Sequence, residues 1–578
     1  MELRRLTCAA MLLGLLASTD LSATPAPSPS TSLAAARPEV TAHQVLAPNL
    51  ASAIRAAING DRNSLHRLLT SSEREQLAAV YNAGAFAPLW VDVSGRPNRD
   101  ARDAVHLLNR AANEGLDPAD YRAALLDRLA GSLTATPTPR VFDIAIFDVS
   151  LSANTLRYLR QLHTGRVDPR AIGFRMTVPP DDHDFAALLR SALATHRLNE
   201  AAGELTPPLA LYRALRSMLT RYRSLAADPT LENPPLTASA VRPGQPYAGL
   251  GTLHRWLVAL GDLPADVPAF AELSTYDGAI VEGVTRFQVR HGLDPDGVLG
   301  KNTQAALRVP LAWRVRQIEL SLERLRWLPH LGTERFIAVN IPMFHLWGWD
   351  SIPANGAPSF GMSVIVGRSL NTQTPVFVEE MRYLIFRPYW NIPASITRHE
   401  ILPALERRDS DYLRRQDMEI VAGAGDDARP VGLTAETLAQ VRQGTLRVRQ
   451  RPGTKNALGL VKFVFPNDAN VYLHGTPAPQ LFSRLRRDFS HGCVRVEDPV
   501  TLAEWALKGQ DGWTRDRIIS AMNANQSRRV NLEQPIQVIL FYITAVVMPE
   551  DGTIQFAEDI YRHDTKLDQA LIQRRTAR

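Results

Sequence analysis

Cysteine is nearly absent from this chain. Its 578 residues hold two, Cys8 and Cys493, which excludes a disulfide framework and the paired spacings of structural zinc sites. Lysine is almost as scarce: five of the 65 basic side chains are Lys and the rest are Arg. Like charges never run to five in a row, which argues against a basic arm for DNA or RNA. The formal charge of +6 leaves room for a weak attraction to an anionic polymer. No apolar run reaches the ~20 residues of a bilayer span. Apolar residues at 45% and charged residues at 21% exclude both a disordered chain and a membrane bundle. The length is too great for one core and sets a prior of roughly three to five domains.

The N-terminus points to export. Arg4 and Arg5 precede the apolar run Leu6 to Ala17, and Leu21-Ser22-Ala23 follows it. That is the layout of a signal peptide over residues 1–23, cleaved after Ala23. Cys8 leaves with it. The mature chain then carries one thiol, Cys493, into an oxidising compartment, where a lone thiol is either buried and inert or kept for its reactivity. Residues 24–47, which include the tract TPAPSPSTS, read as a disordered Pro/Ser tether.

Beyond the tether the pattern is helical to about residue 240, and a Pro-rich stretch from Glu232 to Pro246 reads as a linker. A compact unit follows. Leu250, Leu253, Leu257 and Leu260 form one stripe, and Ile280, Val284 and Phe287 form another. With a short helix from Thr303 they predict a three-helix bundle, more naturally a binding module than an active site. From Phe336 onward, runs of β-branched and aromatic residues predict strands at 336–341, 363–366, 376–386, 461–465, 471–473, 536–547 and 553–556. Between Pro393 and Pro452 charges and helix formers interrupt them, which predicts a helical insertion. Asp498-Pro499 predicts the start of a helix.

The chemistry gathers around the one mature thiol. Ser490-His491-Gly492-Cys493-Val494-Arg495 lies downstream of Tyr472-Leu473-His474-Gly475-Thr476. A thiol nucleophile needs an imidazole nearby, because the thiolate attacks. His474, at the end of a strand-like run, and His491, two residues from the thiol, both qualify on local grounds. Gly492 frees the backbone to bring amides to an oxyanion. Arg495 adds a permanent charge that favours a thiolate or holds a carboxylate. The alternative is a packed His–Cys pair beside a solvated Arg. Zinc is disfavoured, since Cys493, His474 and His491 lack ligand spacing.

His474-Gly475-Thr476 followed by Ser490-His491-Gly492-Cys493 resembles the signature of the L,D-transpeptidases of bacterial cell walls. Phe287-Gln288, His291-Gly292-Leu293, Asp296-Gly297, Gly300 and Thr303 resemble the peptidoglycan-binding domain. Pro88-Leu89-Trp90, Gly115-Leu116-Asp117-Pro118 and Gly165-Arg166-Val167-Asp168-Pro169 resemble the helical scaffold of the large Gram-negative subgroup. The resemblance implies a multidomain α+β chain: a helical scaffold at 48–240, a three-helix peptidoglycan-binding bundle at 241–308, and a mostly-β catalytic domain at 309–578 with a helical cap at about 394–455.

It also implies roles. Cys493 is the nucleophile and His474 the proton carrier, with Gly475 orienting its ring. Gly492 lies in the oxyanion region, and His491 shapes the loop. Tyr472, Trp390, Ser490 and Arg495 bind substrate, with core packing the alternative for the two aromatics. The implied substrate is the tetrapeptide stem of peptidoglycan, cross-linked 3→3 in the periplasm without cofactor or metal. The implied partners are stem peptides, glycan and carbapenem inhibitors, not nucleic acid or a stable membrane span. Hydrolysis of the same acyl-enzyme, as by an L,D-carboxypeptidase or endopeptidase, and a non-catalytic wall-binding scaffold are the competing expectations.

Overall fold

The computed structural model of the chain describes residues 42–59, 69–176, 183–268, 275–328, 331, 334–351, 356–368, 372–406, 411–423, 425 and 427–576. The expected signal peptide and the tether as far as residue 41 lie outside them. The tether does not extend to residue 47, because helix α1 (Ala42–Asn59) begins within it; residues 42–47 contain neither Gly nor Pro. Among the described residues no helix is long and apolar enough to cross a membrane.

Helices α1, α2 (Ser71–Asn82), α3 (Arg99–Asn109), α4 (Ala123–Ala135), α5 (Val141–Thr164), α6 (Phe185–Ala194) and α7 (Leu198–Glu204) enclose one core. A capping box between Thr70 and Glu73 starts α2. Helix α5 is buried along most of its length and forms the axis. Its Asp148 accepts hydrogen bonds from Trp90 N at 2.8 Å and Tyr81 Oη at 2.6 Å, which fixes the Pro88-Leu89-Trp90 loop. Helix α8 (Ala210–Ala227) departs from this core. Its Tyr212, Leu215, Leu219 and Tyr222 face a second one, so the helical stretch expected at 48–240 divides between two cores.

That second core is shared. Strand β1 (Gln245–Pro246), α9 (Leu250–Leu260), β2 (Thr275–Tyr276), α10 (Ala279–Arg290) and α11 (Lys301–Leu307) make the expected small bundle, with a two-stranded ribbon added. Its stripes pack with α8, with α12 (Leu311–Leu325), and with Phe336, Ile539 and Phe556 of the sheet domain. The linker ahead of it is bound to it: Thr237 N donates to Gln304 Oε1 at 3.0 Å, and Tyr247 Oη donates to the Pro235 carbonyl at 2.7 Å. Deleting 247–307 would therefore open a core common to three regions, and surface substitutions are the cleaner way to probe what the module binds.

The C-terminal region begins with β3 (Phe336–Asn340), β4 (His345–Trp349), β5 (Phe360–Gly367) and β6 (Phe377–Phe386). The insertion follows: β7 (Trp390–Asn391), α13 (Ala394–Ile396), a π-helical turn Thr397–Ile401, α14 (Leu402–Glu406), α15 (Tyr412–Arg415), β8 (Met418–Ala422), β9 (Arg429–Val431), α16 (Ala435–Gln443) and β10 (Arg447–Gln450). The expected helices are there, but they rest on an antiparallel sheet of order β7-β10-β8-β9. This unit has its own core of Ile392, Ile396, Leu402, Leu405, Met418, Ile420 and Val448. The cap is thus mixed rather than purely helical. Its strands are two to five residues long, and β10 carries Arg at alternate positions, which hides them in the sequence.

The chain then returns through β11 (Val461–Val464), β12 (Leu473–His474), β13 (Asp488–Ser490), β14 (Val494–Val496), α17 (Pro499–Ala506), α18 (Arg515–Met522), β15 (Arg528–Phe541), β16 (Ala545–Val547), β17 (Ile554–Phe556) and α19 (His563–Thr576). Asp498 caps α17 as expected, accepting from Val500 N and Thr501 N. The nine-stranded sheet runs β13-β5-β14-β12-β11-β6-β15-β3-β4 and closes on itself where β4 also pairs with β5. The single strand expected at 536–547 is broken after Phe541, because Asn340 takes over its backbone. Asn340 Nδ2 donates to the Ile543 carbonyl at 3.0 Å, and Ile543 N donates to Asn340 Oδ1 at 3.1 Å. β16 and β17 then form a separate hairpin.

Candidate active site

Strand alternation puts the chemistry on one face of the sheet. Val461, Phe463, Leu473, Val494 and Val496 point into the sheet's core. Lys462, His474 and Arg495 therefore point the other way, and the pairing aligns them in one row: His474 stands opposite Lys462 of β11 and opposite Arg495 of β14.

His474 is buried, and its Nδ1–H donates to the Gly475 carbonyl at 2.6 Å. That bond selects the tautomer that leaves the Nε2 lone pair open. Burial, then Arg495 and Lys462, push the imidazole down to about 3, against the pull of the Gly475 and Leu458 carbonyls. It is neutral throughout the physiological range. Gly475 itself has room for a side chain. The glycine this turn demands is Gly459 (φ +66°), where a Cβ would stand 2.5 Å from Thr476 N and 2.6 Å from Gly475 C.

Cys493 follows the tight turn between β13 and β14. Its Sγ lies 3.7 Å from the Asn470 carbonyl oxygen. Burial pushes the thiol up, while Tyr472, Lys462 and Arg495 pull it down. The Tyr472 hydroxyl hydrogen-bonds the sulfur and is itself within reach of the Trp390 indole N–H. These two aromatics are half-buried and join the insertion's first strand to the thiol, and Trp390 also packs against the insertion's own core. Arg495 is also half-buried, and its Nε has no hydrogen-bond partner among the described residues.

Two expected roles change. Ser490 does not face the cleft. It is 2% exposed, its Oγ donates to the Cys493 carbonyl at 2.5 Å, and it accepts from Gly492 N at 3.1 Å. A tight buried turn must satisfy its own backbone groups, and Ser490 does this from within. The Gly492 N–H is consequently occupied and does not serve an oxyanion. The Cys493 N–H forms no hydrogen bond among the described residues and is the amide left to do so. Gly492 contributes its backbone conformation instead (φ +116°). His491 stands at the rim, its Nε2 2.8 Å from Oε1 of Glu400 in the insertion's π-helical turn.

The turn is braced from distant sequence. Thr374 Oγ1 donates to the Gly492 carbonyl at 2.8 Å and accepts from Gly367 N at 2.8 Å. Tyr561 Oη accepts from Thr374 N at 3.2 Å and donates to the Gly367 carbonyl. Gly367 has no space for a Cβ, which would meet Thr372 O at 2.0 Å. Tyr561→Phe strands both backbone groups. The expected loss is about 1–3 kcal/mol, read by thermal denaturation, together with slower acylation of Cys493. An unchanged melting temperature and rate would show the brace to be idle. Thr374, Tyr561, Gly459, Glu400 and Lys462 were not among the expected site residues. Only Lys462, one strand from His474 and alternating with Val461 and Phe463, left a signal that strand periodicity could have found.

Comparison with known proteins agrees with this division. Residues 334–519 match the family described as "L,D-transpeptidase catalytic domain", 247–307 match "Putative peptidoglycan binding domain", and 75–219 match "Scaffold domain". A Haemophilus influenzae protein named "Putative L,D-transpeptidase" is 31% identical over 257 residues, 44% of this chain. The match spans 50% of that relative's length. The catalytic sheet extends past the matched range, since β15 lies between β6 and β3. From N- to C-terminus the chain thus carries a scaffold domain, a peptidoglycan-binding domain and an L,D-transpeptidase catalytic domain.

Proposed function

We propose that this chain is a peptidoglycan L,D-transpeptidase that cross-links stem peptides 3→3 in the periplasm. The observation that carries the reading is the buried His474, held by the Gly475 carbonyl on the sheet face that also presents Cys493, the one thiol of the mature chain. The thiol attacks the carbonyl of the third residue of a tetrapeptide stem. Its proton passes to His474 Nε2 and then to the leaving amine, so the C–N bond to the terminal D-Ala breaks as the thioester forms. Thiol and imidazole are both neutral at rest, so proton transfer accompanies attack. The Cys493 N–H and the Tyr472 hydroxyl are the donors near the developing oxyanion. An acceptor amine then displaces the thiolate. Trp390, Tyr472 and Arg495 line the approach. A carbapenem carbonyl enters the same reaction and stops at the acyl-enzyme.

The test is incubation of the purified chain with tetrapeptide stems, with and without an acceptor, followed by mass spectrometry. Release of D-Ala together with a 3→3 dimer is expected. Tripeptide alone in both arms would make the chain an L,D-carboxypeptidase, and no reaction with stems or carbapenem would leave a wall-binding scaffold.

A further inference from the structure

We propose that Lys462 is a positioning residue for acyl transfer at Cys493: its ammonium holds the Tyr472 ring against the sulfur and keeps a positive charge beside His474. The proposal rests on the acyl-transfer reading above and adds a residue to which neither the signature motif nor the family comparison gives a role.

Three observations place Lys462. Its Nζ lies 3.7 Å from the centroid of the Tyr472 ring, a cation–π contact on a half-buried aromatic. Its Cα is directly opposite His474 in the β11–β12 pairing, so both side chains rise from the same face. Arg495 occupies the matching place on the far side, opposite His474 in the β12–β14 pairing. Cross-strand neighbours on one face have Cβ atoms about 4.5–5.5 Å apart. The imidazole thus stands between two cations supplied by the strands on either side.

This arrangement has two consequences. The phenol that touches the nucleophile has few ways to turn: the ammonium covers one face of its ring, and the Trp390 indole reaches its hydroxyl. A second proton on His474 would place a third positive charge in the row. The charged groups that act on the imidazole are Arg495 from β14 and Lys462 from β11, both disfavouring its cation. Tyr472 stays protonated as a donor, because burial and the neighbouring thiol raise it well above its ordinary value. Lys462 also lowers the thiol. One ammonium therefore keeps the resting imidazole neutral, open to the thiol proton, and favours the thiolate that forms as that proton leaves.

The test uses the full chain, with carbapenem acylation of Cys493 followed by intact mass from about pH 4.5 to 8. Lys462→Met keeps the apolar stem and removes the charge. Lys462→Arg keeps a cation. Folding is checked by thermal denaturation. Wild type should acylate with no acid loss near pH 6.5, where an ordinary histidine titrates. The folded Met variant should be slower at every pH, and its acid limb should begin at a higher pH than in wild type, because the ammonium no longer opposes a second proton on His474. The Arg variant should keep the wild-type shape. A folded Met variant with wild-type rate and profile overturns the proposal. Should the Met variant not fold, a wild-type acid limb near 6.5, or an Arg profile with such a limb, overturns it instead. A wild type that is never acylated overturns the acyl-transfer reading itself, and this proposal with it.

Discussion

Cys493→Ala leaves a folded chain that takes up no acyl group, and His474→Ala slows acylation by about 10²–10⁴-fold, the range of general acid–base catalysis. The first effect is total because Cys493 is the one cysteine among the described residues. It leaves stability nearly intact, since Cys493 is only half-buried and its sulfur meets the Asn470 carbonyl at 3.7 Å and the Tyr472 hydroxyl, neither of them a packed apolar contact. The second is large because His474 is the imidazole fixed in one tautomer by a backbone carbonyl. His491 is different. Its ring lies at the rim against Glu400, a solvent-exposed contact of the kind that contributes at most about 1 kcal/mol. His491→Ala therefore loses part of the rate through the loop and keeps the chemistry. Intact-mass acylation kinetics on the three variants, each checked by circular dichroism, decide the matter. A His474→Ala that acylates normally beside a folded His491→Ala that does not would exchange the two roles.

What could be read beforehand follows the distinction between local and distant. The nucleophile, the base, Gly475 and the positive-φ Gly492 lie within two short stretches, so their chemistry is written contiguously. The helical stripes of α9 and α10 are equally local. Register is not. Lys462 is visible as a polar residue between Val461 and Phe463, but nothing in that run says that β12 lies beside it. Thr374 and Tyr561 reach the Gly492 turn from 118 residues upstream and from the loop before α19, and neither carries a pattern of its own. Ser490 misleads for a related reason. A hydroxyl next to a nucleophile suggests substrate binding until the backbone groups of the turn are counted. The apolar stripes show that a face is buried but not against what, so the core shared by α8, the small bundle and the sheet was not foreseen. Helix α19 was missed because its buried apolar residues reduce to Leu567 and Leu571, too few for a stripe.

Glu323→Ala is expected to destabilise the chain by about 3–5 kcal/mol, the cost of leaving buried charges without their partner. Glu323, on α12, is fully buried. One oxygen accepts from the backbone N–H groups of Arg166 and Val167, and the other accepts from Arg166 Nε at 3.0 Å and Arg326 Nη1 at 3.3 Å. Arg326 in turn donates to Tyr212 Oη at 2.8 Å, and Tyr212 donates to Glu114 at 2.9 Å. A single carboxylate therefore joins the Gly165-Arg166-Val167 corner of the scaffold to α8 and to the helix leading into the catalytic sheet. The corner is tightly packed: a Cβ added at Gly165 (φ +80°) would stand 2.7 Å from the Trp327 indole nitrogen. Burial alone would raise the Glu323 carboxyl, but Arg166 and Arg326 hold it below its ordinary value. The sign follows: the unfolded chain takes up this proton first, so the contribution is complete above the ordinary carboxylate range near pH 4.5 and is lost as pH falls below it. Glu323→Gln keeps the shape and some of the bonds, and should fall between wild type and Ala. Chemical denaturation of the three proteins at pH 7 measures the difference. Acylation of Cys493 in the fraction still folded should proceed at the wild-type rate, since no member of this network touches the thiol, the imidazole or Tyr472. An Ala variant as stable as wild type would mean that water replaces the carboxylate at the joint, and that the scaffold is held to the catalytic domain by its apolar contacts alone.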